Sequence, residues 1–208
     1  MKKYLQYGSG LSCPPSFENF DASPTLRFEQ IPLLGRLYTK NSARFPADTR
    51  FGDIVVGLPV PRSHFKGIYC SHVLEHLTIN DFRTALRNTY SYLETGGTFR
   101  LVMPDLEHCC RSYLQDERKD ASFRFLKTLY MRKETPARGL GALILERFGH
   151  DNHLWLWDYK ATVHELSQVG FKSLRRASCG DSVDPVFIEA ESEERWNQCL
   201  GIECQKVA

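Results

Sequence analysis

Apolar residues recur along this chain in two rhythms. Short apolar or alternating runs predict seven strands, at Lys3–Tyr7, Phe17–Phe20, Arg50–Ile54, Lys66–Cys70, Thr98–Met103, Phe171–Ala177 and Leu200–Cys204. Helical spacing appears between them. Phe82, Ala85, Leu86, Tyr90 and Leu93 form one stripe, closed by Gly96-Gly97, and Val163, Leu166 and Val169 form another, closed by Gly170. Leu106–Leu114 and Ser122–Met131 read as further helices, the second with Phe123, Leu126 and Tyr130 on one face. Leu26–Tyr38, interrupted by Pro32 and Gly35, predicts a broken helix. From Lys66 to Met103 the order is strand, polar loop, helix, strand. That is one βαβ unit of a parallel sheet, whose ligands bind at the carboxyl ends of the strands.

The expected architecture is therefore α/β, with a doubly wound, mostly parallel sheet in a single domain over residues 1–208. Residues 106–158 hold more helix and loop than one crossover needs, and predict a helical lid or acceptor-binding insertion after the fifth strand. Glu189–Arg195 is strongly charged and predicts a solvated segment.

Composition narrows the partners. A formal net charge of +2 over 208 residues gives no electrostatic case for nucleic acid or a membrane surface. No run is apolar enough for a signal peptide or a bilayer span. Seven cysteines without a C-x-x-C pair predict reduced thiols and a cytoplasmic setting. Oligomeric state is not encoded in these patterns.

Candidate chemistry lies at the strand ends. Gly8-Ser9-Gly10 follows the first strand, where glycines admit a ligand close to the backbone or simply make a turn. A dinucleotide fingerprint is excluded, because Cys13 stands where a third glycine is needed and Pro14-Pro15 blocks a helix start. Asp21, ending the second strand, could take both hydroxyls of a ribose or cap a turn before Ser23-Pro24. Asp53 could accept from an exocyclic amine with Ile54 against a flat base, or be a loop acid. Ser71, His72, Glu75 and His76 cluster after the fourth strand. His72-Val73-Leu74-Glu75-His76 also matches H-x-x-E-H, which on a helix would be an inverted zinc-protease signature, with Glu107 or His108 as further ligand.

Taken in series, these pieces resemble the class I S-adenosylmethionine-dependent methyltransferases, and most of all their type 11 branch. The matching residues are Gln6–Gly10, Asp21, Gly52-Asp53-Ile54, Gly57-Leu58-Pro59, Ser71–Leu77, Leu93–Gly97, Leu101–Asp105 and Gly170-Phe171. The likeness is dense from Tyr4 to Asp105 and thin from Leu106 to Tyr159. It implies a Rossmann-like methyltransferase fold, with a seven-stranded sheet whose last strand alone is antiparallel. It implies S-adenosylmethionine as cofactor, with the methionine part along Gln6, Tyr7, Gly8, Ser9 and Gly10. The ribose would lie at Asp21 and Ala22, adenine at Asp53 and Ile54, and Ser71 and His72 would line the pocket beyond the fourth strand. The chain departs from the family at Gln6, where an acid is usual, at Lys66, often an acid, and in the ten residues between Gly10 and Asp21, too few for the usual first helix.

The expected reaction is methyl transfer to an oxygen or nitrogen of a small-molecule or glycan acceptor. Candidate general bases are His76, His72 and His153, since imidazole titrates near neutrality. Trp155 and Trp157 could stack on an acceptor ring. No resident metal is implied. Two other readings stay open: a non-enzymatic binding module with a degenerate cofactor pocket, and a zinc hydrolase acting through His72, Glu75 and His76.

Overall fold

The computed structural model describes residues 1–33, 35, 43–129 and 153–207. The elements in chain order are β1 (Tyr4–Tyr7), β2 (Phe17–Asp21), α1 (Pro24–Glu29), β3 (Thr49–Phe51), β4 (Phe65–Ser71), α2 (Ile79–Tyr92) and β5 (Leu93–Pro104). Then follow α3 (Leu106–Leu114), α4 (Ala121–Thr128), α5 (Tyr159–Val169), β6 (Phe171–Ala177), α6 (Glu193–Trp196) and β7 (Cys199–Lys206). The seven strands form one sheet in the order β3-β2-β1-β4-β5-β7-β6. β1 to β5 pair in parallel, and β7 runs antiparallel to both β5 and β6. All seven predicted strands and the single antiparallel one are present.

Alternation along each strand gives the sheet two different faces. Leu5, Tyr7, Phe20, Ile68, Cys70, Phe99, Leu101 and Met103 point to the main core, which α2 and α5 cover. α2 buries Phe82, Ala85, Leu86 and Thr89, and the Thr78 hydroxyl caps it by accepting from the Asp81 N–H. α5 starts at Asp158, whose carboxylate accepts from the Ala161 N–H at 2.7 Å. It ends at Gly170 with φ +113°, a left-handed turn that a side chain would strain. Arg83 on α2 clamps Glu165 on α5 with two hydrogen bonds of 2.9 and 2.7 Å.

The opposite face is built differently. The connection over residues 8–16 contains no helix, so β1 leads to β2 without a crossover helix. Phe17, Tyr69 and Val102 instead pack against Phe187, Ala190 and Trp196 from the stretch between β6 and β7. Arg100 lies in this layer, fully buried, with its guanidinium on Glu191, Asp181 and Glu203 at 2.6 to 3.0 Å. The expectation of a solvated Glu189–Arg195 holds for Glu189 and Ser192–Arg195, which are exposed, but not for Glu191. The charges of that segment are partly structural: the Glu191 side chain is buried on Arg100, and Arg195 reaches back to β4.

Other boundaries also shift. β3 ends at Phe51, and Gly52 to Ile54 leave the sheet in a turn. The broken helix reduces to α1, residues 30–33 form a bend and turn, and 34 and 36–38 lie outside the described residues. In the insertion, α3 matches its predicted bounds, whereas α4 buries no residue and leaves Phe123 76% exposed. Tyr130, Met131 and the stretch to residue 152 lie outside the described residues. All seven cysteines are free thiols. Among the described residues, no helix is long and apolar enough to cross a membrane.

Candidate functional site

The carboxyl ends of β1, β2 and β3 are tied into one rim by main-chain hydrogen bonds. The Ser9 N–H donates to the Phe20 carbonyl at 3.1 Å, and the Gly52 N–H donates to the Asp21 carbonyl at 3.1 Å. The Asp21 carboxylate accepts from the Gly10 N–H and from the Ser23 N–H, both at 2.8 Å. Asp21 thus holds the glycine loop and its own turn at once, and each oxygen keeps a further lone pair for a ligand hydroxyl. Asp53, half-buried, follows Gly52 directly, and its carboxylate accepts from the Val55 N–H at 2.8 Å. Hydrogen bonds thus join the segments that carry Gly10, Asp21 and Gly52-Asp53.

The glycines do different work. Gly10, φ +54°, faces open space, so no atom of the described residues occupies its side-chain position. Gly8, φ +65°, is filled: a side chain there would strike Val73 of the loop after β4. The glycine loop and the β4 loop are thereby packed against each other. Beside them, the side-chain oxygens of Gln6 and Ser9 are buried without a hydrogen-bond partner among the described residues. Such atoms carry a desolvation cost that a ligand donor would relieve. Tyr7 turns away into the core, its hydroxyl 3.2 Å from Thr89 Oγ1, so only its main chain meets the rim. Ala22 is exposed next to Asp21. Ile54 is buried in the main core, with its carbonyl accepting from Asn88 at 2.7 Å.

Ser71 and His72 face the other layer. Arg195 donates to Ser71 Oγ at 2.9 Å and to its carbonyl at 2.7 Å. His72 has φ +55°, rare for a residue other than glycine. Its Nε2 lies 2.9 Å from the Arg195 carbonyl and 3.8 Å from Cys199 Sγ, while Nδ1 lies 3.2 Å from Glu75 Oε1. Burial pulls the imidazole down, but Cys199, Glu75 and the Arg195 carbonyl outweigh it and hold the group up at about 10. His72 is therefore protonated at neutral pH and poorly suited to take a proton from an acceptor. Nothing local in the sequence announces Arg195 as its partner, since the two lie 123 positions apart.

His76 and His153 meet. Their ring centroids are 5.0 Å apart, across from Glu75. The Glu75 carbonyl accepts from the N–H groups of Leu154 and Trp155 at 2.8 and 3.1 Å, which docks the returning chain beside the β4 loop. Burial holds the His153 imidazole below its ordinary range against the pull of Glu75, with His76 and His72 adding to the depression. Residues 72–76 are not a helix: Leu74–His76 makes one 3₁₀ turn, so the geometry that the inverted zinc-protease reading requires is missing. Trp157 is core, stacked on Phe82 at 3.9 Å, and Trp155 remains 45% exposed. A cavity of about 560 Å³, lined by Ala177, Cys179, Trp196 and Cys199 among others, holds none of the predicted site residues.

Comparison with solved structures matches this fold to S-adenosylmethionine-dependent methyltransferases. A Thermotoga maritima protein described as a possible histamine N-methyltransferase aligns with 99% of this chain and 83% of its own, at 13% identity and a TM-score of 0.55. A methyltransferase from Archaeoglobus fulgidus covers 99% and 86%, at 15% identity and 0.51. PigF, solved with S-adenosylhomocysteine, covers 99% of this chain at 16% identity and 0.50. The chain spans about half the length of some relatives, 56% of PigF and 48% of the CurJ carbon methyltransferase. No family model and no curated protein matches the sequence. The chain has the class I methyltransferase fold.

Proposed function

We propose that this protein transfers a methyl group from S-adenosylmethionine to an oxygen or nitrogen of a small-molecule or glycan acceptor. The observation that carries this reading is the joined rim, where Asp21 receives the Gly10 N–H and carries Gly52 and Asp53 beside it. An acid, an open glycine and buried oxygens without donors at one sheet edge fit a nucleoside that bears hydroxyls and an amino group. The cofactor, when bound, supplies a sulfonium-activated methyl carbon, so the protein's task is alignment and exclusion of water.

On this reading Asp21 accepts from the ribose hydroxyls, and Asp53 accepts from the base. Gln6 and Ser9 accept from the amino group of the methionine part. Gln6 does so without charge attraction, so affinity is weaker than an acid at that position would give. Ser71 and His72 shape the wall behind the rim instead of reacting. His76 and His153 are the imidazoles placed to receive a proton from an acceptor hydroxyl or ammonium. The insertion that contains α3 and α4 forms the acceptor side.

Calorimetric titration with S-adenosylhomocysteine tests the assignment. The wild type is expected to bind one equivalent, and Asp21→Ala to weaken binding by roughly tenfold or more, since it removes a charge-assisted acceptor. Equal affinity in the two proteins would remove Asp21 from the role. A flat titration of the wild type would favour the binding-module reading, with the fold kept and the donor pocket lost.

A further inference from the structure

The β4 loop carries a second arrangement that methyl transfer does not require. The carboxylate of Glu75 and the imidazoles of His76 and His153 each offer one donor atom, and the three atoms lie within 4.8 Å of one another. Three such donors around one tetrahedral ion at about 2.0–2.2 Å stand about 3.3–3.6 Å apart. Closing the cluster around an ion therefore takes side-chain shifts of up to about an ångström.

The carboxylate gives an independent reason. Glu75 is 1% exposed, and neither of its oxygens has a hydrogen-bond partner among the described residues. His72 Nδ1 is 3.2 Å from Oε1, close enough for charge attraction but not aligned as a hydrogen bond. His72 pairs with one oxygen of this buried carboxylate, but neither oxygen is hydrogen-bonded, so lone pairs stay open to a bound cation. The main chain also commits to the arrangement. The paired N–H groups of Leu154 and Trp155 on the Glu75 carbonyl hold the 153–155 stretch against the turn that carries Glu75 and His76.

From this geometry we infer a divalent transition-metal site made by Glu75, His76 and His153. Two imidazoles and a carboxylate suit zinc and its neighbours better than magnesium or calcium, which prefer oxygen-only shells. Three protein ligands leave a position open to water or to an acceptor oxygen. His72 becomes the outer partner of the Glu75 ligand, orienting its carboxylate. The H-x-x-E-H pattern had paired His72 with His76. The structure replaces His72 with a histidine 77 positions beyond His76 in the chain. With an ion in place, His76 and His153 are ligands and no longer bases, and an acceptor hydroxyl would lose its proton more readily by binding the ion.

The test is metal titration of the chelator-stripped full-length protein, first with Zn²⁺ against a competing chromophoric chelator, then with Co²⁺. One tight equivalent of Zn²⁺ is expected, and visible Co²⁺ bands without the near-ultraviolet thiolate band that cysteine ligation would give. His153→Ala should lower affinity by about tenfold or more. Glu75→Gln, which keeps the side chain's shape, should do the same and serves if His153→Ala fails to fold. Substoichiometric binding, unchanged affinity in these variants, or a dominant thiolate band would each overturn the site. Because metal is read directly, failure here leaves the methyl-transfer reading intact, and a flat S-adenosylhomocysteine titration leaves this site intact.

Discussion

Asp21 and Asp181 show how differently two carboxylates can be read. Asp21 ends a strand, and its role at the rim follows from local order: strand, acid, small residues. Asp181 lies in the loop after β6, where no sequence pattern marks it. In the fold it meets Arg100 at 3.0 Å and Arg175 at 2.8 Å, with Glu203 and Glu191 on the same guanidinium. Arg100 has no neighbour in sequence that explains burying it, since its three acids lie 81 to 103 positions away. Partial burial pushes the Asp181 carboxyl up, but Arg175, the Ser178 N–H and Arg100 prevail and hold it down at about 2, from an ordinary 3.8. Between these values the unfolded chain binds more protons than the folded one, so stability rises with pH there. The contribution is complete above about pH 4 and is lost as pH falls through about 2. Burial raises Glu191, whereas Glu203 is lowered, its burial outweighed by Ser182, Arg100 and Arg175. Urea unfolding of wild type and Asp181→Asn between pH 5 and pH 2 should show a flatter acid limb in the variant. Parallel curves would refute the assignment.

At the level of elements, the strands and the two packing helices were legible because one periodicity governed each. α2 and α5 bury one stripe and carry recognisable caps, Thr78, Asp158 and Gly170. The Asp158 cap gives a direct check. Asp158→Ala removes the acceptor for the Ala161 N–H and should cost about 1 kcal/mol in chemical denaturation. A loss of only a few tenths would mean that tertiary packing alone sets the start of α5. The predictions that failed lie where periodicity conflicts with context. Glu189–Arg195 reads as solvated from charge alone and is mostly exposed, yet Ala190 and the Glu191 side chain turn inward onto the sheet face where no β1–β2 helix packs. α4 has a helical stripe, yet Phe123 and Leu126 stay exposed, which spacing cannot foresee. His153 could be named as a candidate from its type. Its meeting with His76 depends on the chain returning after the insertion.

For the whole molecule, the strand order positions everything else. With β1 and β4 adjacent at the centre, the Gly8 loop and the Val73 loop are neighbours, and Gly8 is small so that Val73 can pack there. The rim of Gly10, Asp21 and Gly52 lies on the β1-β2-β3 side of that contact, and Glu75 and His76, which meet His153, follow Val73. The series of glycines and acids revealed the rim because each sits at a strand end. The covering of the opposite face was hidden because its contacts span from 69 to 187 and 196. The account depends on one hollow receiving a nucleoside. A crystal structure of the protein soaked with S-adenosylhomocysteine tests it most directly. The account predicts ribose hydroxyls on the Asp21 carboxylate, the base beside Asp53 and the methionine part along Gln6 to Gly10. A ligand bound at another surface, or a bare rim at saturating ligand, would contradict it.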